Sequence, residues 1–360
     1  MTFYQELQLN AAGSKNLIKN SKDGREKFRH IITYIFKVVL TLAFCVAFVV
    51  VFQTLFGAEN SYVGVAVLLF VLVFRLADLG IKVKDSMISL AIIYLVLMFG
   101  PHLANMVHPV LGMFINGICI FVMVFLGCHN ILMCNHATFL ISYFLLWGND
   151  VSGRAYTMRL IGLLVGGILT IAVFYFKHKT RTYKRDLKDV FKEFHPYSVR
   201  GSWQIRITVG VALAVCISQL LGFPRPMWIA FVTMSVLQPM PADTPKRVGL
   251  RFLGTLGGGI LFAFMFTFVP ESIQPMLGFF GGLCVGFCAN YGWQTVFNSF
   301  SAMYSAIAIF GLIPTIIIRY FMNFVGGIYI FLFDKIMYKI LTNFNHNGEM
   351  SVDRNNSMDI

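Results

Sequence analysis

Twelve apolar runs, parted by short polar turns, take up most of the 360 residues. A helix needs about 20 apolar residues to cross hydrocarbon, where each backbone N–H and C=O must be bonded within the segment. The runs fall at roughly 31–56, 62–76, 86–99, 109–126, 131–147 and 156–176, and again at roughly 203–221, 227–238, 247–269, 273–289, 293–312 and 314–341. Charged residues make up 12% of the chain, against about a quarter in a soluble domain, and mean hydropathy is +0.72. A surface so poor in charge aggregates in water and is at home in lipid. The fold class expected is all-α integral membrane, with about twelve transmembrane helices.

Polar segments divide these runs. Residues 1–30 form a basic leader in which Lys15, Lys19, Lys22, Arg25, Lys27 and Arg29 precede the first run, and Phe3 to Leu9 suit a short interfacial turn. The leader has neither the short apolar core nor the cleavage site of a signal peptide, so the first run is expected to stay as an anchor. The runs within 31–176 make a first half. A basic stretch at 177–202 reads as a cytoplasmic linker, 203–341 as the second half, and 342–360 as a disordered cytoplasmic tail. The net charge of +13 sits at run ends and in these segments, the positive-inside distribution rather than a nucleic-acid surface. With the N-terminus in the cytoplasm, twelve crossings return the C-terminus there, in a multi-pass protein of the cell membrane. The loops near 58–61, 100–108 and 270–272 then lie outside and lack Lys and Arg, while those at 75–84 and 242–251 lie inside and are basic. The turn at 149–159 is the exception, since it lies outside and carries Arg154 and Arg159.

An internal repeat accounts for the exception. The pattern R-x-x-G-x-x-x-G-G-I-L occurs from Arg159, with Gly162 and Gly166, and again from Arg251, with Gly254 and Gly258, 92 residues on. That interval is about three spans with their loops, and an odd number of crossings reverses orientation. The two six-helix halves thus read as built from inverted three-helix repeats, an arrangement that in transporters places the substrate near the midplane. Arg319, followed by Gly326 and Gly327, is a fainter third copy. The paired glycines suit close approach of helix backbones.

Ionisable residues inside spans are costly and tend to be functional or paired. Here they are mostly cations: Lys37, Arg75, Arg159, Arg206, Arg251 and Arg319, against Asp78 and Asp334. Arginine does not lose its proton, and its fork matches a carboxylate. The imbalance points to an anionic substrate. Other chemistry finds little support. The seven cysteines lie in or beside apolar runs without a CxxC and read as packing thiols. Cys128, His129, Cys134 and His136 lack a recognised metal-ligand spacing and suit a polar turn, so no metal and no cofactor is expected. The nucleotide-binding and hydrolase motifs are absent, and the protein is not expected to be an enzyme.

Several of these residues carry a family resemblance. The leader from Leu9 to Lys15, the two six-span halves, and the segment from Trp228 to Pro239 running into Arg247, Arg251, Gly254 and Thr255 resemble fusaric-acid-resistance (FUSC-like) membrane proteins. That superfamily includes aromatic-acid exporters and is similar to plant aluminium-activated malate transporters, which are anion channels. The resemblance implies export of organic anions, aromatic carboxylates foremost. It carries over to Arg247, Arg251, Gly254 and Gly258, and in the inverted copy to Arg159, Gly162 and Gly166. With Arg319, these arginines are the expected substrate-binding residues. An anion channel and a non-transporting membrane scaffold remain alternatives, and monomer and homodimer both fit.

Overall fold

The computed structural model describes residues 2–344, and within them each of the twelve apolar runs contains a helix. The leader forms α1 (Phe3–Leu7) and α2 (Ala11–Lys19). The first set of runs gives α3 (Gly24–Phe56), α4 (Ser61–Phe74), α5 (Val83–Asn105), α6 (Pro109–Gly127), α7 (Asn135–Gly148) and α8 (Gly153–His178). The linker holds α9 (Leu187–Lys192). Then come α10 (Val199–Leu220), α11 (Pro226–Val236), α12 (Thr244–Phe268), α13 (Met276–Phe287), α14 (Tyr291–Phe310) and α15 (Leu312–Phe344). The tail expected at 342–360 lies outside the described residues from 345 onward.

Local chemistry sets many of the ends. Asn10 and Ser198 accept from the backbone N–H of Gly13 and Gly201 at 2.7 and 3.0 Å, capping α2 and α10. Proline opens α6 and α11, where its missing N–H has no partner to lose. Gly311 takes φ +78°, a conformation that glycine adopts freely, and separates α14 from α15.

Among the described residues, seven helical segments are long and apolar enough to cross a membrane, at α3, α5, α6, α8, α10, α12 and α15. The protein is an all-α integral membrane protein. The remaining apolar helices are shorter or less apolar. At 1.5 Å per residue, the 14 residues of α7 and the 11 of α11 reach only about 21 and 16 Å, against a core of roughly 30 Å.

Two compact units make up the chain, and both are discontinuous in sequence. One comprises residues 1–47 and 246–324, the other 48–245 and 325–360, so the linker at 177–202 lies inside the second. In the first, the leader is folded onto the start of α3: Glu6 meets His30 at 2.7 Å and Lys37 Nζ donates to the Leu9 carbonyl at 3.0 Å. The interior of this unit centres on Phe262, Leu277, Phe300 and Met303. In the second, α6 packs against α5 and α10, α7 against α4 and α11, and α8 against α4 and α5. Phe70, Phe74 and Phe139 form part of its aromatic interior, with centroids 5.6 to 5.7 Å apart.

Candidate functional site

In the unit of residues 1–47 and 246–324, Asn323 on α15 ties three polar groups together. Its Oδ1 accepts from Arg251 Nε at 3.0 Å and from Thr255 Oγ1 at 3.3 Å, and its Nδ2 donates to the Arg319 carbonyl at 2.7 Å. A cavity of about 500 Å³ lies between α12, α14 and α15, with Thr255 and Arg319 among its lining residues. Phe252, Tyr320 and Phe324 supply rings, Phe252 lying 5.1 Å from Tyr320 and 5.6 Å from Phe324. Arg319 is only 5% exposed. A buried guanidinium beside aromatic faces can hold a carboxylate by charge-assisted hydrogen bonds and its ring by stacking. Arg247, four residues before Arg251 and so on the same helix face, lies over the Tyr291 ring at 4.4 Å.

In the second unit Arg159 is 2% exposed and is held by protein groups. Nε donates to Asn60 Oδ1 at 3.2 Å, Nη1 to the Leu146 carbonyl at 3.1 Å and Nη2 to the Asn149 carbonyl at 2.6 Å. Asp150 Oδ1 is 3.6 Å from Nη1. The last carbonyls of a helix have no partner within it. At the end of α7 side chains take that role: Asn149 serves Leu145, Arg159 serves Leu146, and Asn105 serves Trp147 at 2.8 Å. Asp150 in turn accepts from His102 Nδ1 at 2.9 Å, and the His102 ring stacks on Tyr156 at 4.0 Å. A smaller cavity of about 330 Å³, lined by Glu59, Asn60 and Arg154, lies alongside.

The same device closes α11. Arg206 on α10 is fully buried, pairs with Asp334 and donates to the carbonyls of Gln238 and Pro239, at 3.3 and 2.8 Å. Thr244 Oγ1 donates to the other Asp334 oxygen at 2.8 Å. Both short helices therefore end on an arginine set about two turns into a long neighbour, with a carboxylate behind it.

The glycines of the repeat lie where helices come closest. A Cβ on Gly166 would strike Val67, and one on Gly162 would come within 3.2 Å of Val63, so α8 lies tight against α4. A Cβ on Gly254 would lie 2.8 Å from the Gly292 carbonyl, and one on Gly258 would strike the Val296 carbonyl, so α12 runs against the backbone of the α14 region.

Outside the spans, the segment from Cys128 to His136 packs on the linker. His129 Nε2 is 3.3 Å from both Arg200 Nη1 and Glu193 Oε2. Burial first, then the Arg200 and Arg185 cations, press its pKa down to about 3. Among the described residues no three His, Cys, Asp or Glu side chains come together as metal ligands.

The structure thus brings Arg251 and Arg319 to one knot, sets Arg247 on a ring, and commits Arg159 to the end of α7. Reading the sequence passed over Asn60, Asn323 and Asp150. The usable signal was Asn323, the one amide in a run that also carries Arg319 and Asp334.

No significant match was found among curated proteins or among solved structures. Residues 213–333 match the family described as fusaric acid resistance protein-like, a stretch that runs from α10 to α15 and includes Arg247, Arg251 and Arg319. Over residues 213–333, then, this membrane protein is similar to the fusaric acid resistance protein-like family.

Proposed function

We propose that the protein exports organic anions, aromatic carboxylates foremost, and that the cavity beside Arg319 holds the substrate. The observation that carries this reading is a buried guanidinium in a cavity of about 500 Å³ walled by Phe252, Tyr320 and Phe324. A volume of a few hundred Å³ with one polar group among apolar walls suits a small ligand. Arg251 is linked to Arg319 through Asn323 and adds positive potential, and Arg247 continues the basic strip along α12. Arg159 serves the α7 end rather than the anion.

In this reading the apolar helices make twelve crossings, as two six-helix halves built from inverted three-helix repeats. Residues 237–240, which follow α11, complete the passage that it leaves short. Both termini face the cytoplasm of a cell membrane, which the basic leader and linker support.

The test is uptake of labelled 4-hydroxybenzoate into proteoliposomes, with and without a pH gradient, for wild type and Arg319→Gln. Loss of a bidentate guanidinium–carboxylate contact should lower apparent affinity by about tenfold or more. Wild-type flux that Arg319→Gln leaves unchanged would remove the cavity from the path. No wild-type flux above empty liposomes, with the protein shown folded, would overturn the substrate class.

A further inference from the structure

Three groups at the end of α7 form a chain: His102 on α5, Asp150 in the turn after α7, and Arg159 on α8. His102 Nδ1 bonds both carboxylate oxygens of Asp150, at 2.9 and 3.1 Å, and Asp150 Oδ1 lies 3.6 Å from Arg159 Nη1. That same Nη1 donates to the Leu146 carbonyl at 3.1 Å. His102 and Asp150 are 21% and 22% exposed as side chains, whereas Arg159 is sealed at 2%. Tyr156 stacks on the imidazole from α8, Asn105 comes from α5, and Glu59 and Arg154 line the neighbouring cavity.

We infer that the His102–Asp150 pair is a proton-binding site whose occupancy sets how firmly Arg159 holds the end of α7. The inference rests on the transporter reading for its purpose, but not for its chemistry. Histidine is the side chain that changes charge between about pH 5 and 8, and this one bonds a carboxylate directly. When the pair carries its proton, the Asp150 charge is shared between imidazolium and guanidinium. When the proton leaves to water, that charge falls on Arg159 alone and draws Nη1 from the Leu146 carbonyl toward Asp150. No bond other than the N–H is made or broken, and the proton passes between the imidazole and water.

Symmetry within the unit isolates the histidine. The Arg206–Asp334 clamp on α11 has the same arginine, carboxylate and helix-end carbonyls, yet its side chains are 0% and 3% exposed and Asp334 accepts from Thr244. The α11 end has a hydroxyl where the α7 end has an imidazole. A threonine does not titrate near neutrality, so only the α7 clamp can follow pH.

Trp147 reports on this site without any substrate, because it lies in the last turn of α7 and its carbonyl accepts from Asn105 on the helix that carries His102. The experiment uses full-length protein in lipid nanodiscs, with Trp203, Trp228 and Trp293 changed to Phe. Its emission is followed from pH 5 to 8. The expected result is one transition with a midpoint in that range, lost in His102→Gln and displaced or lost in Asp150→Asn. A flat curve for the folded protein with His102 and Asp150 intact would overturn the inference, whether or not the variants fold. So would a transition unchanged in His102→Gln. Because no transport is measured, failure here is distinct from failure of the exporter reading, which the flux assay decides.

Discussion

Arg159→Met separates a structural arginine from a substrate-binding one. Methionine keeps much of the apolar stem and removes every donor. Two helix-end carbonyls, the buried Leu146 and the half-buried Asn149, lose their guanidinium partner, at roughly 1–3 kcal/mol each. Asp150 also loses a cation, but it is 22% exposed and keeps His102, so water limits that term to about 1 kcal/mol. Asn60 keeps its Nδ2 bonds to the Phe56 and Ala155 carbonyls at 3.0 and 2.9 Å, so it stays in place. The expected loss is roughly 3–7 kcal/mol, which overlaps the roughly 3–5 kcal/mol for removing one partner of a buried ion pair. Arg159→Lys restores the charge but not the fork, and should recover less than half of it. Denaturant unfolding in detergent micelles measures the loss, and amide exchange at residues 145–149 locates it. A loss below about 1 kcal/mol, with exchange there unchanged, would refute the claim that Arg159 holds α7.

Two further perturbations test other parts of the structure. Gly258→Ala should destabilise by about 1–3 kcal/mol, the cost of overpacking, because its Cβ meets the Val296 backbone, which cannot move aside. Gly257→Ala, with nothing within 4 Å, should be neutral or slightly stabilising, and thermal unfolding of the pair tests the contact. His129 supplies a pH dependence. Its folded pKa of about 3 lies below the unfolded value near 6.5, so the unfolded chain binds the extra proton. That stability is present in full above about pH 6.5 and is lost as pH falls toward 3. Between pH 7.5 and 5 it should fall by about 2 kcal/mol, read as a lower melting temperature that His129→Gln makes less pH-sensitive.

The helices were legible in the sequence because their signal is local. A run such as 109–126 reports its own helix, and α6 spans Pro109–Gly127. The repeat was legible for the same reason, since arginine and glycine spacing can be read along one chain. The partners were not. Arg159 meets Asn60 across 99 residues, Arg251 meets Asn323 across 72, and Arg206 meets Asp334 across 128. Counting intramembrane carboxylates against arginines also misjudged the balance, because neutral amides and helix-end carbonyls accept from guanidinium as well. Asp150 lies unremarked in the turn at 149–159, and Arg206 is one of several ionisable residues inside spans. Their importance follows from where two short helices stop, and periodicity does not show that.

The short helices explain what the buried arginines of this unit do. A helix that ends in the protein interior leaves carbonyls that neither water nor its own backbone can satisfy. Lysine offers a compact ammonium, whereas arginine offers five donors in a planar fork and reaches several carbonyls at once. Each cation then needs a counter-charge, which Asp150 and Asp334 provide. Once those carboxylates are present, their surroundings decide what else the clamp can do. Asp334 is sealed with Thr244 and Arg206. Asp150 is partly exposed and bonded to His102. The α7 end packs on α11 where Gly148 meets Met227, too close to admit a Cβ. If protonation moves anything in this unit, it moves α7 against a fixed α11, and Trp147 is the residue placed to record it.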